Sequence, residues 1–112
     1  MGDIGRKVVL VVDDDDSVRM LAVDLFEELG CEVMEASGGA TALARLEARP
    51  DISLMFTDCR SGPELAEIAA KRWPALRIVL VTGYHNMKVP GFSMVWKPYD
   101  QRTLERVVED RI

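Results

Sequence analysis

The sequence predicts an α/β domain built on a doubly wound, five-stranded parallel sheet. Three observations carry that expectation. Five short apolar runs recur along the chain. Several of them are continuous rather than alternating, as strands covered on both faces require. The segments between them space their apolar residues as helices do.

The first run, Val8 to Val12, is followed by four aspartates and then by a helix of about three turns with Val18, Leu21, Leu25 and Leu29 on one face. Gly30 stops that helix, because glycine accepts the left-handed backbone of a helix end. The second run, Cys31 to Ala36, passes Ser37 into a helix over Gly39 to Arg49 that points Ala40, Leu43 and Leu46 inward and is closed by Pro50. The third run, Ile52 to Thr57, leads to Ser61-Gly62-Pro63-Glu64, whose Ser and Glu three apart suit a capping box. The helix they open carries Leu65, Ile68 and Ala69 and ends before Pro74.

The fourth run is Ile78 to Thr82 and the fifth is Phe92 to Trp96. Nine residues, Gly83 to Gly91, separate them. A parallel crossover usually needs about a dozen or more, so the fourth helix is expected to be short or missing. A last helix starts near Asp100 with Leu104, Val107 and Val108 as its inner stripe.

These elements use the whole 112-residue chain, which is read as one domain, 1–112, with no segment over for an attached effector. At 48% hydrophobic and 29% charged residues a core forms without staples. Fourteen basic against 19 acidic side chains give a net charge of −5, which argues against nucleic acid or an anionic membrane as partner and favours a cation or a basic protein patch. No apolar run approaches the ~20 residues of a membrane span, and Met1 to Lys7 lacks the apolar stretch of a signal peptide, so a cytoplasmic location is expected. Arg6 stands where a myristoylation signal at Gly2 would want Ser or Thr. Cys31 and Cys59 form no C-x-x-C pattern and His85 has no second His or nearby Cys, which leaves the thiols as small hydrophobes and the imidazole as a loop side chain.

In a doubly wound sheet, ligands sit at the carboxyl ends of the strands. Here those ends carry Asp13-Asp14-Asp15-Asp16, Thr57-Asp58, Thr82-Gly83 and Lys97-Pro98. Clustered carboxylates repel unless they share a cation, so Asp13, Asp14 and Asp58 read as a site for Mg²⁺. Lys97 and Thr82 then offer a charged and a neutral hydrogen bond to phosphoryl oxygens. Those are the parts needed to phosphorylate an aspartate. Asp15 and Asp16, beside Ser17, are read as caps of the first helix rather than as metal ligands.

The chain resembles the response-regulator receiver domains of two-component signalling over nearly its full length. The likeness rests on Val11-Val12-Asp13-Asp14-Asp15, Thr57-Asp58, Gly62-Pro63-Glu64-Leu65, Leu80-Val81-Thr82-Gly83-Tyr84 and Trp96-Lys97-Pro98-Tyr99, in that order. It implies a flavodoxin-like sheet with strand order 2-1-3-4-5. It also implies that Asp58 accepts the phosphoryl group and that Asp13 and Asp14 hold Mg²⁺, with Asp58 and the Arg60 backbone carbonyl as further ligands. Thr82 becomes the switch hydroxyl and Lys97 the phosphate-contacting cation, in a Lys97-Pro98 peptide commonly cis in the family. The implied donor is a histidine kinase or histidine phosphotransfer protein, and the output is contact with a downstream protein target, as a relay shuttle, a phosphate sink or a regulator.

Two departures matter. Asp58-Cys59-Arg60-Ser61-Gly62 passes almost directly into the third helix, a loop shorter by about four residues than is usual, which bears on the Arg60 ligand. The aromatic switch position three before Lys97 holds Met94, and the short crossover after Thr82 removes most of a helix. That leaves Met87, Val89, Met94 and Trp96 either bare, as a homodimer or kinase-docking face, or covered by a loop that folds back. The Thr82-Gly83-Tyr84 run also resembles a group of alphaproteobacterial single-domain receivers served by HWE-type histidine kinases.

Two other readings compete. A haloacid-dehalogenase-like phosphohydrolase would use Asp13 as nucleophile and Asp15 as general acid, but it leaves Thr57-Asp58 without a role and needs an acidic pair that Glu109 and Asp110, in the last helix, do not supply. A pseudo-receiver would keep the fold as a binding module without phosphorylation.

Overall fold

The computed structural model describes residues 7–58, 62–83 and 89–110. The expectations placed on Met1, Gly2, Arg6, Cys59, Arg60, Ser61, Tyr84, His85 and Met87 lie outside the described residues.

Among the described residues, nine elements follow in the order β1 (Val8–Val12), α1 (Asp16–Glu28), β2 (Glu32–Ala36), α2 (Gly39–Ala48), β3 (Leu54–Asp58), α3 (Gly62–Arg72), β4 (Arg77–Thr82), β5 (Ser93–Trp96) and α4 (Gln101–Val108). The strands form one sheet in the order β2-β1-β3-β4-β5, and every neighbouring pair is parallel. This is the doubly wound fold the sequence predicts, with the strand order the family resemblance implies.

The continuous apolar runs are explained by the two faces of the sheet. Side chains alternate along a strand, so Val9 and Val11 of β1, Phe56 of β3 and Val79 and Val81 of β4 turn to one side, against Ala22, Val23 and Phe26 of α1 and Leu104 and Val107 of α4. Leu10, Met55, Ile78 and Leu80 turn to the other, against Ala42 and Leu46 of α2 and Leu65, Ala66 and Ala69 of α3.

The expected helix stripes are buried in large part: Leu46, Leu65, Ala69, Leu104 and Val107 are buried and Leu25, Leu29, Leu43 and Val108 pack against the core, whereas three other expected positions do not. Leu21 is 54% exposed and Ile68 44% exposed, and Ala40 is exposed too. Apolar residues three and four apart fit two adjacent helix faces equally well. Ala22, Ala42 and Ala66 are buried beside the expected Leu46 and Leu65. The α2 N-cap is Gly38, with no side-chain cap.

Gly30 does end α1. It has a φ of +90°, its N–H donates to Glu27 O at 2.9 Å and the Cys31 N–H donates to Phe26 O at 3.1 Å, the paired bonds of a Schellman end. Asp15 caps the other end, accepting from the Ser17 and Val18 amides at 2.9 and 3.1 Å. Asp100 caps α4 through the Thr103 amide.

The β4–β5 crossover shows no helix among its described residues. Val89, Phe92 and Met94 pack on the α2–α3 side of the core, and the Val89 N–H donates to Met94 Sδ at 3.3 Å. Val89 and Met94, two of the residues expected on this face, are thus partly buried against the core. No helix among the described residues is long and apolar enough to cross a membrane.

Candidate functional site

β1 and β3 are neighbours, as are β3 and β4 and then β4 and β5, so their carboxyl ends bring Asp13, Asp58, Thr82 and Lys97 to one edge. The register makes this concrete. Asp58 lies beside Val81, and Thr82 beside Trp96, the residue before Lys97. The Lys97 N–H donates to Thr82 O at 2.8 Å, and the Lys97–Pro98 peptide is cis.

Lys97 Nζ is 2.8 Å from Asp58 Oδ2 and 3.8 Å from Asp13 Oδ2. One ammonium therefore offsets two carboxylates. Asp13 is only 7% exposed, and burial pushes its carboxyl above the usual range, with the charges of Asp58 and Asp14 acting in the same direction. The Asp15 amide, which donates to Asp13 Oδ1 at 2.9 Å, and the Lys97 charge oppose that rise. Asp14 is exposed at the mouth, whereas Thr82 is 3% exposed at the end of β4.

Two residues to which the sequence assigned no role complete the surroundings. Tyr99 stands edge-on to Phe56 with ring centroids 5.6 Å apart, and Phe56 stands edge-on to Phe26 at 5.1 Å. Tyr99 also shares with Asp13, Asp58 and Phe56 the lining of a cavity of about 10 Å³, room for about one water. Burial first, and then the charges of Asp13 and Asp58, push its phenol up to about 12. Arg19, on α1, reaches back to the end of β1. The signal for Tyr99 was its place after Lys97-Pro98, and for Arg19 its spacing of three from Asp16.

The phosphohydrolase reading asked Asp15 to act as an acid, but its carboxylate is engaged in capping α1. Glu109 and Asp110 follow α4, and Asp110 pairs with Arg77 at the amino end of β4, the opposite edge of the sheet.

A five-stranded 2-1-3-4-5 sheet with a carboxylate pair, a hydroxyl and an ammonium at its carboxyl edge defines the receiver class. The response regulator receiver domain model matches residues 9–109, and the chain belongs to that family, a signalling domain. It is 35% identical over 114 residues to the response regulator receiver protein CpdR of Brucella abortus (strain 2308), covering 92% of this chain and 94% of that protein. It is 28% identical to the sensor kinase CckA of the same organism, covering 96% of this chain but only 13% of the kinase.

Among solved structures, the receiver domain of the hybrid histidine kinase CckA superposes with a TM-score of 0.79 at 30% identity, covering 93% of this chain and 97% of that one. NtrX from Brucella abortus gives a TM-score of 0.86 at 26% identity, covering 95% of this chain and 26% of that one.

Receiver domains generally bind Mg²⁺ at the phosphorylation site. Among the described residues, no three His, Cys, Asp or Glu side chains form a ready metal cage. Mg²⁺ needs less than that, because it is commonly held by one or two carboxylates together with water and phosphate oxygens. Asp13, whose carboxyl is raised chiefly by burial, and Asp14 at the mouth are the carboxylates that could supply that hard-oxygen chemistry.

Proposed function

We propose that residues 1–112 act as a receiver that takes a phosphoryl group on Asp58 from a histidine kinase or histidine phosphotransfer protein and signals through contacts with a downstream protein in the cytoplasm. The observation that carries this reading is the Lys97 ammonium set between Asp58 and Asp13 at the carboxyl edge of the sheet. The likeness to a stand-alone receiver protein and to the receiver of a sensor kinase supports it.

In this reading an Asp58 carboxylate oxygen attacks the phosphorus of a phosphohistidine. A P–O bond forms, the P–N bond breaks, and the released imidazole takes a proton. Lys97 lies where it can move from a carboxylate oxygen to a phosphoryl oxygen as charge shifts outward, keeping a charge-assisted hydrogen bond throughout. Thr82, buried at the end of the adjoining strand, offers its hydroxyl to a second phosphoryl oxygen. Asp13, Asp14 and Asp58 would hold Mg²⁺, and Arg60, which lies outside the described residues, would add its backbone carbonyl. When bound, the metal neutralises the carboxylates and the incoming phosphoryl oxygens.

Met94 at the usual aromatic switch position leaves Thr82 without a rotating ring to drive, so the transmission step differs from the usual one or is lost. The domain thereby assists its own phosphorylation and dephosphorylation without being an enzyme on another substrate. The test is transfer from a phosphotransfer protein labelled on histidine. Label should pass to the native chain in Mg²⁺ and not to Asp58→Asn; label passing equally to Asp58→Asn would overturn the assignment.

A further inference from the structure

We propose that Arg19 is a positioning residue that holds the aspartate-bearing turn after β1 in its metal-binding shape, a role that rests on the reading of Asp13 and Asp14 as the Mg²⁺ ligands. Arg19 Nη1 donates to the backbone carbonyl of Asp13 at 2.7 Å. Its Nη2 meets Asp16 Oδ1 at 2.7 Å, and its Nε meets Glu35 Oε1 on β2 at 3.0 Å. Three donors of one guanidinium thus tie the end of β1, the first turn of α1 and the neighbouring strand together.

The rest of the turn closes around this clamp. The Asp15 N–H donates to Asp13 Oδ1, the Asp15 carboxylate caps α1, and the Arg19 N–H donates to Asp15 O at 2.9 Å. Asp13 is therefore held at both ends, by its side chain through Asp15 and by its carbonyl through Arg19. The Arg19 side chain is 15% exposed, against 23% for Arg77, 35% for Arg49 and 46% for Arg72, so it is the most enclosed of the ion-paired arginines described.

A planar fork can serve three acceptors at fixed angles, which an ammonium on a flexible stem cannot. Its charge also stands behind a strand end crowded with Asp13, Asp14, Asp15 and Asp16. Removing it leaves the Asp13 carbonyl without its side-chain donor and frees the turn that aims both carboxylates. Groups that orient a ligand from behind typically govern metal affinity as strongly as this.

The test compares the full chain with Arg19→Gln, Arg19→Lys and a remote control, Arg49→Gln, which breaks the ion pairs to Glu32 and Asp51 away from the site. Two readouts are taken: Mg²⁺ affinity by calorimetry, and metal-free hydrogen exchange of the Asp15 amide relative to Val11 in β1. Both Arg19 variants should weaken Mg²⁺ binding about tenfold and speed Asp15 exchange by a similar factor, while Arg49→Gln leaves both unchanged. Native-like values for both readouts in Arg19→Gln, or full rescue by Arg19→Lys, would overturn the proposal. A native chain that binds no Mg²⁺ would overturn the assignment of Asp13 and Asp14, and a metal-positioning role with it; faster Asp15 exchange would then show that the clamp itself exists.

Discussion

Lys97 Nζ and Asp58 Oδ2 stand 2.8 Å apart at the carboxyl edge of β3 and β5, within hydrogen-bonding distance, while Asp13 Oδ2 is 3.8 Å from the same ammonium. Lys97 is thus a cation already resident among the carboxylates. It competes with a bound metal for them, yet it is also the group placed to follow charge onto a phosphoryl oxygen. Lys97→Gln should therefore move two measurements in opposite directions. Mg²⁺ affinity by calorimetry should rise, and phosphorylation by a small phosphodonor should slow by roughly 10–100-fold, the worth of one charge-assisted hydrogen bond. A parallel loss of both would mean that Lys97 only holds the fold of the edge.

Asp13 makes a prediction about pH. Its folded carboxyl is raised above its ordinary value of 3.8, chiefly by burial. As pH rises past that value the unfolded chain ionises first, so the folded state loses stability until the folded group has ionised too, and the penalty persists at pH 7. Asp13→Asn keeps an oxygen for the Asp15 amide and removes the charge. In chelator at pH 7 it should melt a few degrees higher than the native chain, about 2–5 °C, with the gap closing as pH is lowered towards 4. Added Mg²⁺ should reverse the order, because only the native chain gains from binding. Thermal melts across pH with and without Mg²⁺ check both halves.

Tyr99 should dominate alkaline behaviour near the site. Its phenol is pushed up to about 12 from an ordinary value of 10.0, by burial first and then by Asp13 and Asp58. Between those two values the unfolded chain gives up the proton and the folded one keeps it, so stability falls as pH rises through that window. Tyr99→Phe has no such proton. The denaturant stability of the native chain should fall below that of Tyr99→Phe progressively from pH 10 to pH 12, and a gap independent of pH would contradict the account.

Phe56 connects the site to the core through two edge-on ring contacts, to Phe26 and to Tyr99. Phe56→Leu keeps an apolar side chain but loses both. A cost of about 1–3 kcal/mol in urea unfolding is expected. The near-ultraviolet circular dichroism of Tyr99 should weaken with it.

Much of this was legible in the chain because the relevant signals are local. Uninterrupted apolar runs such as Val8–Val12 and the fourth strand mark strands covered on both sides, and Gly30 and Asp100 mark helix ends by their own backbone preferences. Asp13, Asp58, Thr82 and Lys97 could be placed at one edge because each directly follows or ends such a run. The inner faces of α1, α2 and α3 were less legible. Leu21, Ala40 and Ile68 satisfy helical spacing as well as the residues that are buried, and which of two adjacent faces meets the sheet is decided only once the helices pack on it. Arg19 was missed because its acceptors come from β1, α1 and β2 together. Tyr99 was missed for a similar reason: its neighbours Phe56 and Asp58 are distant in sequence, so its surroundings exist only once the sheet has formed.

The most direct test of the phosphoacceptor assignment is the intact mass of the chain after exposure to acetyl phosphate with and without Mg²⁺, followed by borohydride trapping and peptide mapping. The expected result is one Mg²⁺-dependent phosphoryl adduct that maps to Asp58 and is lost in Asp58→Asn. An adduct that maps to Asp13, or one that forms on Asp58→Asn as readily as on the native chain, would contradict it.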